Sequence, residues 1–304
     1  MRNIRTDLAS ELNEDAGALA GVRMQSEEIG GFSCTKVYID SEEGAQKLGK
    51  PMGKYFTLEV GDVSLKNSVD LTAAAHSVAN VMQEFVGAEG EKTALVVGLG
   101  NRKITPDSLG PKVCEKIFVT RHIKQNLPEI AGEDVASVSA IAPGVLGVTG
   151  MESEEVIRGI SQQVKPDVII AIDALASRKT ERIGASIQIS DTGIAPGSGL
   201  GNHRKELTRS SLGASVIAVG VPMVTYASTI ACDLLETAFD KTVEEEDIQA
   251  LFAAIQAANG SELIVTPKNI DILSEKAAVL LALSLNFALN PNFPQEKIDN
   301  LMEC

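Results

Sequence analysis

The sequence predicts an α/β fold, a mainly parallel or mixed sheet flanked by helices in one domain. Three observations carry this. Short β-rich apolar runs alternate with stretches of helical periodicity along most of the chain. Two runs, TALVVGLG (93–100) and DVIIAIDA (167–174), are continuously apolar, as in strands covered on both faces. The 304 residues contain no internal repeat, low-complexity tract or clear linker. That length suits one large domain or two small ones, with ample chain for a core.

The elements follow in order. Residues 1 to about 30 are polar and Glu-rich and read as a mobile or peripheral arm. FSCTKVYID and KYFTLEV read as strands, and SVDLTAAAHSVANVMQEFV as a helix. After the 93–100 strand, SLGPKVCEKIFVTRHIKQN reads as one helix, with Ser108 as its cap and Pro111 near its first turn. VASVSAI is a short strand, and SEEVIRGISQQV an amphipathic helix capped by Ser153. ASIQIS and ASVIAVGV follow the 167–174 strand as two more strands. TYASTIACDLLETAF, EEEDIQALFAAIQAA and ILSEKAAVLLALSLNFAL complete the chain as helices, the last apolar enough to be a packed helix.

Composition narrows the function. The chain is 44% hydrophobic and 22% charged, with 26 glycines and a formal net charge of −14. Sequence-independent nucleic-acid binding needs a surplus of Lys and Arg, so no direct nucleic-acid partner is expected. An acidic surface is also repelled by anionic membranes, and no run of ~18 apolar residues is evident. The start, MRNIRTDLASELNED, lacks the apolar core of a secretion signal. Cys34, Cys114, Cys232 and Cys304 share no zinc or CxxC spacing and read as free buried thiols of a reducing cytoplasm. His76 and His122 fall in helical patterns, and His203 stands apart.

In open α/β sheets, sites form beyond the carboxyl ends of strands. That rule selects GLGNRKITPDSLG, DALASRK, DTGIAPGSGLGNHR and GVPMVTYAS. Asp191-Thr192-Gly193 matches a three-residue signature of pepsin-like proteases. Those enzymes are all-β and bring two such aspartates together, whereas one motif stands here in an α/β pattern. Asp191 is better read as a turn residue. Gly197, Gly199 and Gly201 lack a Walker lysine-serine pair, and GLGNRK lacks the third glycine of GxGxxG, so no cofactor is expected.

Asp107 and Asp173 stand out. Asp173 ends a buried strand, where an unpaired carboxylate costs several kcal/mol or shifts its pKa. Asp107 precedes a helix start, where the dipole favours its charged form. Facing each other, one ionised and one protonated, the two could activate water against an amide carbonyl and protonate the leaving nitrogen. The plainer reading makes Asp107 a helix cap and Asp173 a loop partner, and on spacing alone it stands slightly ahead.

At these residues the chain resembles the germination protease family of spore-forming Firmicutes. The matching segments are IRTDLASE, VVGLGNRKITPDSLGP, IAPGVLGVTGMES, VIIAIDALASRK, and ISDTGIAPGSGLGNHR with the following GVP, in family order from residue 4 to about 230. The resemblance implies an endopeptidase of the forespore and spore core that degrades small acid-soluble, DNA-coating proteins during germination. It implies Asp107 and Asp173 as the catalytic pair and a homotetramer. It also implies a zymogen that cuts itself between Asp7 and Leu8, with residues 1–7 as pro-segment and 8–304 as a single peptidase domain. That pro-segment is shorter than those of Bacillus members. Leu8-Ala9-Ser10-Glu11 is then a substrate-like sequence. Asn101, Asp191, Asn202 and Arg204 fall in supporting loops, Asn202 and Arg204 either binding substrate backbone or only pinning their loop. The family is distantly similar to the metal-recognising hydrogenase-maturation peptidases. No metal is carried over, since His203 is the one candidate to complete such a site.

Three rivals remain on the sequence: a metal-dependent peptidase of the hydrogenase-maturation type, a non-catalytic binding module, and a nucleotide-binding enzyme using GLGN and the 193–201 loop.

Overall fold

The computed structural model describes residues 6–17, 19–64, 69–87, 92–127, 129, 135–195, 205–231 and 263–291. Its elements are α1 (Ala9–Ala16), β1 (Val22–Ile29), β2 (Phe32–Ile39), α2 (Glu42–Leu48), β3 (Gly53–Glu59), α3 (Leu71–Val86) and β4 (Thr93–Gly98). Then come a 3-10 turn (Thr105–Asp107), α4 (Leu109–Cys114), α5 (Arg121–Asn126), β5 (Ser137–Ile141), α6 (Leu146–Thr149), α7 (Ser153–Val164) and β6 (Val168–Ala176). A second 3-10 turn (Thr180–Arg182) is followed by β7 (Ser186–Ser190), α8 (Arg209–Leu212), β8 (Ser215–Tyr226), β9 (Ile264–Val265) and α9 (Ile270–Leu289). The sequence helix at EEEDIQALFAAIQAA lies outside the described residues, as does most of the one at TYASTIACDLLETAF.

The sheet is mixed, with strand order β1-β2-β3-β7-β8-β6-β4-β5 and β9 added beside β8. One half, from β1 through β7 to β8, pairs antiparallel. The other half, β8-β6-β4-β5, pairs parallel. The fold class is therefore the α/β mixed sheet flanked by helices that the alternation of patterns predicts.

Side chains alternate between the two faces of a strand. On one face Phe56, Leu58, Ile170, Ile172, Ile187, Ile189, Val219 and Val221 join the main core with Val78 and Met82 of α3 and Leu281 and Leu285 of α9. The opposite face carries two smaller clusters. Leu95, Val97, Ile169, Ala171 and Val216 pack with Ile157 of α7. Val37, Ile39 and Tyr55 pack with Leu48 of α2 and Ala9 of α1. Strand residues of this face between the two clusters, among them Asp173, Gln188 and Ala218, line the cleft described below.

Several sequence expectations change. The N-terminal arm is not peripheral: Leu8, Ala9 and Ser10 are fully buried and Glu11 nearly so. The helix expected from 108 to 126 breaks into α4 and α5, because neighbours capture the intervening backbone. Phe118 N–H donates to Asn286 Oδ1 (3.1 Å) and Thr120 N–H to Val138 O (3.0 Å). Ser108 precedes α4, but its Oγ donates backward to Thr105 O at 2.7 Å instead of capping the helix. The α7 cap is Glu152, one residue before Ser153, and its N–H donates to Glu155 Oε2 at 3.2 Å. GVPMVTYAS is mainly strand, since β6 and β9 pair β8 as far as Tyr226. Pro222 offers no N–H, and the β6–β8 register shifts just after it, between Leu175 and Ala176. Helix α9 is long and apolar enough by composition to cross a bilayer, contrary to the expectation of no such run, but 78% of its apolar window is buried inside the fold.

Candidate active site

Asp173 lies near the end of β6 and is only 6% exposed. Even-numbered residues of this stretch turn their backbone groups toward β4, as the Leu99 N–H to Ile172 O bond (2.8 Å) shows. Strand β4 pairs β6 no further than Ile172, so the edge of β6 beyond it is open. Two acidic residues satisfy that edge. Ala174 N–H donates to Asp173 Oδ1 at 2.9 Å. Ala176 N–H donates to Asp7 Oδ2 at 2.8 Å, and Asp7 N–H donates to Ala176 O at 2.9 Å.

Asp107 arrives from the loop after β4. Asn101 N–H donates to Asp107 Oδ2 at 2.8 Å, and Asp107 N–H donates to Ile104 O at 2.9 Å. Gly100 makes this possible. Its φ is +107°, and a Cβ there would lie 2.1 Å from Asp107 O. Asn101 thus acts through its backbone on the carboxylate, while its side-chain oxygen accepts the Lys103 N–H at 3.0 Å.

The two aspartates share one cleft of about 580 Å³ with Asp7. The opposite wall comes from Lys50, Pro51 and Tyr55, and the floor includes Gln188, Ala218 and Gly220. Asp173 is paired with Gly220, which is paired with Gln188, so the three lie on one rung of the sheet. Gly220 lets the Leu175 side chain lie over it, since a Cβ would come within 2.4 Å of Leu175. Burial pushes the Tyr55 hydroxyl up to about 12, and it donates to Pro51 O at 2.9 Å.

Residues 7–9 cross this floor. Asp7 is held at the β6 edge, Gln188 on β7 takes the Asp7 carbonyl and the Ala9 N–H, and the Leu8 N–H between them donates to Thr6 Oγ1 at 3.1 Å. Gln188 Nε2 donates to Asp7 O (3.0 Å) and its Oε1 accepts from Ala9 N (2.8 Å). Beyond them Glu11 accepts the N–H groups of Arg178 (2.7 Å) and Lys179 (3.0 Å) and faces Arg182 at 3.3 Å. Thr6 Oγ1 also donates to Glu11.

The loop after β4 and the carboxyl end of β6, both selected by the strand-end rule, line this cleft. Strand β7 runs antiparallel to β8, so the loop after it enters from the other end, yet Thr192, Gly193 and Ile194 still line the cleft. Asp191 is exposed and ties β7 to β3, accepting the Lys54 N–H at 2.8 Å. Asn202, His203 and Arg204 lie outside the described residues. Among the described residues, no three His, Cys, Asp or Glu side chains gather closely enough to hold a metal ion. Cys34 and Cys114 are free, and burial pushes both thiols up to about 11, far from thiolate at neutral pH. Sequence reasoning passed over Gln188. Its signal was a large polar residue between Ile187 and Ile189, on a strand otherwise fit for a core.

A family model described as germination protease matches residues 1–241. The germination protease of Clostridium perfringens (strain SM101 / Type A) is 40% identical, covering 99% of this chain and all of the relative. That of Caldanaerobacter subterraneus subsp. tengcongensis is 41% identical over 98% of each chain. That of Bacillus cereus (strain AH187) is 38% identical, over 97% of this chain and 95% of the relative. A solved structure of the NiFe hydrogenase maturation protease HycI from Thermococcus kodakarensis KOD1 is similar over 67% of this chain and 98% of its own, with TM-score 0.34 and 16% identity. With a family match over most of its length and full-length relatives near 40% identity, the chain belongs to the germination protease family and is a peptidase.

Proposed function

We propose that the chain is an endopeptidase of the spore core that cleaves small acid-soluble spore proteins during germination, using Asp107 and Asp173, and that it matures by cutting its own Asp7–Leu8 bond. The observation that carries this reading is the shared cleft: both aspartates line it, and so does Asp7, on the amino side of the bond to be cut. In the reaction one carboxylate takes a proton from water as the water oxygen bonds to the peptide carbonyl carbon. The other, protonated, gives its proton to the leaving nitrogen as the C–N bond breaks. The reaction requires one carboxylate ionised and the other protonated, the division that like-charge repulsion produces when two such groups share a site.

The same geometry supports latency from a short pro-segment. Residues 1–7 need not cover the cleft from outside, because Asp7 already occupies the open edge of β6 inside it. A substrate chain would contend for that edge until the segment leaves. The acidic enzyme is expected to act on substrate already released from DNA, so added DNA should protect the substrate; equal cleavage with and without DNA would sink that part.

The test is N-terminal sequencing of the purified protein after mildly acidic incubation. Wild type should acquire a Leu8 start, while Asp107→Asn and Asp173→Asn keep Met1, with rates lowered about 10²–10⁴-fold. Normal processing of both variants would make the aspartates structural.

A further inference from the structure

We propose that Gln188 is a catalytic residue of the self-processing step, its side-chain amide donating to the carbonyl oxygen that becomes an oxyanion. The inference rests on the Asp7–Leu8 cleavage proposed above and adds a residue to it. The bond in question joins the Asp7 carbonyl to the Leu8 nitrogen, and the Gln188 side chain spans it. Nε2 donates to Asp7 O at 3.0 Å on one side, and Oε1 accepts from Ala9 N at 2.8 Å on the other. Only one orientation of the amide serves both partners, since a carbonyl needs a donor and an N–H needs an acceptor. Gln188 is 7% exposed and projects from a paired strand, on the rung that also carries Asp173. A donor so fixed is in place before reaction and needs no reorganisation when charge develops.

The step balances without a co-reactant. Water oxygen bonds to the Asp7 carbonyl carbon and a carboxylate takes the water proton. The carbonyl electron pair moves onto the Asp7 oxygen, where the Gln188 N–H bond strengthens. The pair then returns, the C–N bond breaks, and the protonated carboxyl delivers its proton to the Leu8 nitrogen. The Ala9 contact keeps the peptide from turning its carbonyl away.

The experiment uses the full chain as wild type, Gln188→Leu and Gln188→Glu. Intact-mass spectrometry follows first-order loss of residues 1–7 between pH 4 and 7, and hydrogen exchange in α1 reports docking. Gln188→Leu should process about 10²–10³-fold more slowly. Gln188→Glu keeps an acceptor for Ala9 but, when ionised, has no donor for the carbonyl. On acidification it gains an O–H, so its deficit relative to wild type should narrow as pH falls. Asp7, Lys50, Tyr55, Asp107, Asp173 and Glu206 line the cleft in every variant, so each variant is compared with wild type as a ratio at the same pH. Processing of Gln188→Leu within a few-fold of wild type would overturn the inference. So would a pH-independent Gln188→Glu deficit that merely tracks faster exchange in α1. If wild type itself is never cut at Asp7–Leu8, the processing reading falls and the role of Gln188 with it.

Discussion

Arg182 holds the N-terminal helix to the sheet, and replacing it with methionine should loosen that helix by a calculable amount. Its guanidinium meets Glu11 at 3.3 Å, Glu14 at 2.9 Å and Glu59 at 3.2 Å, with Arg182 12% exposed and Glu11 fully buried. Breaking a buried ion pair by removing one partner costs about 3–5 kcal/mol. Glu11 keeps two backbone N–H donors, which brings its share to about 2 kcal/mol. Glu14 is over a third exposed and adds roughly 0.5 kcal/mol. Methionine retains most of the arginine stem's packing. The sum, ~2.5 kcal/mol, is a rise of about 60-fold in the opening of α1. Hydrogen exchange or limited proteolysis within residues 9–16 reads it directly. The pH dependence checks the cause. Burial works against the charge of Glu14, but bonds from Lys179 and Arg182 outweigh it and hold its carboxyl below the usual range. Its folded-state value is depressed, so its stabilisation is present above the unfolded value of about 4.3 and lost as pH falls through the folded one. The Glu14 share of the Arg182→Met deficit, roughly 0.5 kcal/mol, should therefore be present near pH 7 and fade below about pH 4. Equal opening of α1 in both proteins at pH 7, or a deficit that grows with acid, would refute the reasoning.

Further outcomes are expected elsewhere. Gly100→Ala should move Asp107, because its Cβ meets the Asp107 carbonyl at 2.1 Å and its φ is positive; activity should fall about 10²-fold, measured on a substrate peptide. Asp107→Asn and Asp173→Asn should each slow processing about 10²–10⁴-fold while leaving the unfolding midpoint within a few degrees of wild type, read by mass spectrometry and circular dichroism. Cys34 and Cys114 should resist alkylation at pH 7.5 and react once the protein unfolds, since burial holds both thiols near 11; peptide mapping of the label distinguishes them from Cys232 and Cys304.

Much of the parallel half was legible in the sequence, because buried parallel strands are written as unbroken apolar runs. TALVVG and VIIAIDALA could hardly be anything else, and strand-end logic pointed to Asp173 near the end of one and to the loop carrying Asp107 after the other. The antiparallel half was harder. ASIQIS shows a strand but not its direction, which depends on pairing with Tyr55 and Val219 from distant segments. The N-terminal arm misled for a different reason. Its polarity is real, but Glu11 is buried against backbone amides and a guanidinium, a compensation that no local pattern reveals. The break between α4 and α5 likewise depends on Asn286 and Val138, far along the chain.

The seam between the two halves of the sheet has a consequence for when catalytic capacity arises in a newly made chain. Asp107 and Asp173 belong to the parallel half, whereas Tyr55 and Gln188 belong to the antiparallel half, which joins it in the sheet where β7 pairs with β8. A nascent chain with one half folded has either the acids or the opposing wall, never both. Pairings between distant segments, such as Tyr55 with Ser190, form slowly because a long loop must close first. On the proposed two-aspartate mechanism, proteolytic capacity is therefore expected only once both halves of the sheet have paired.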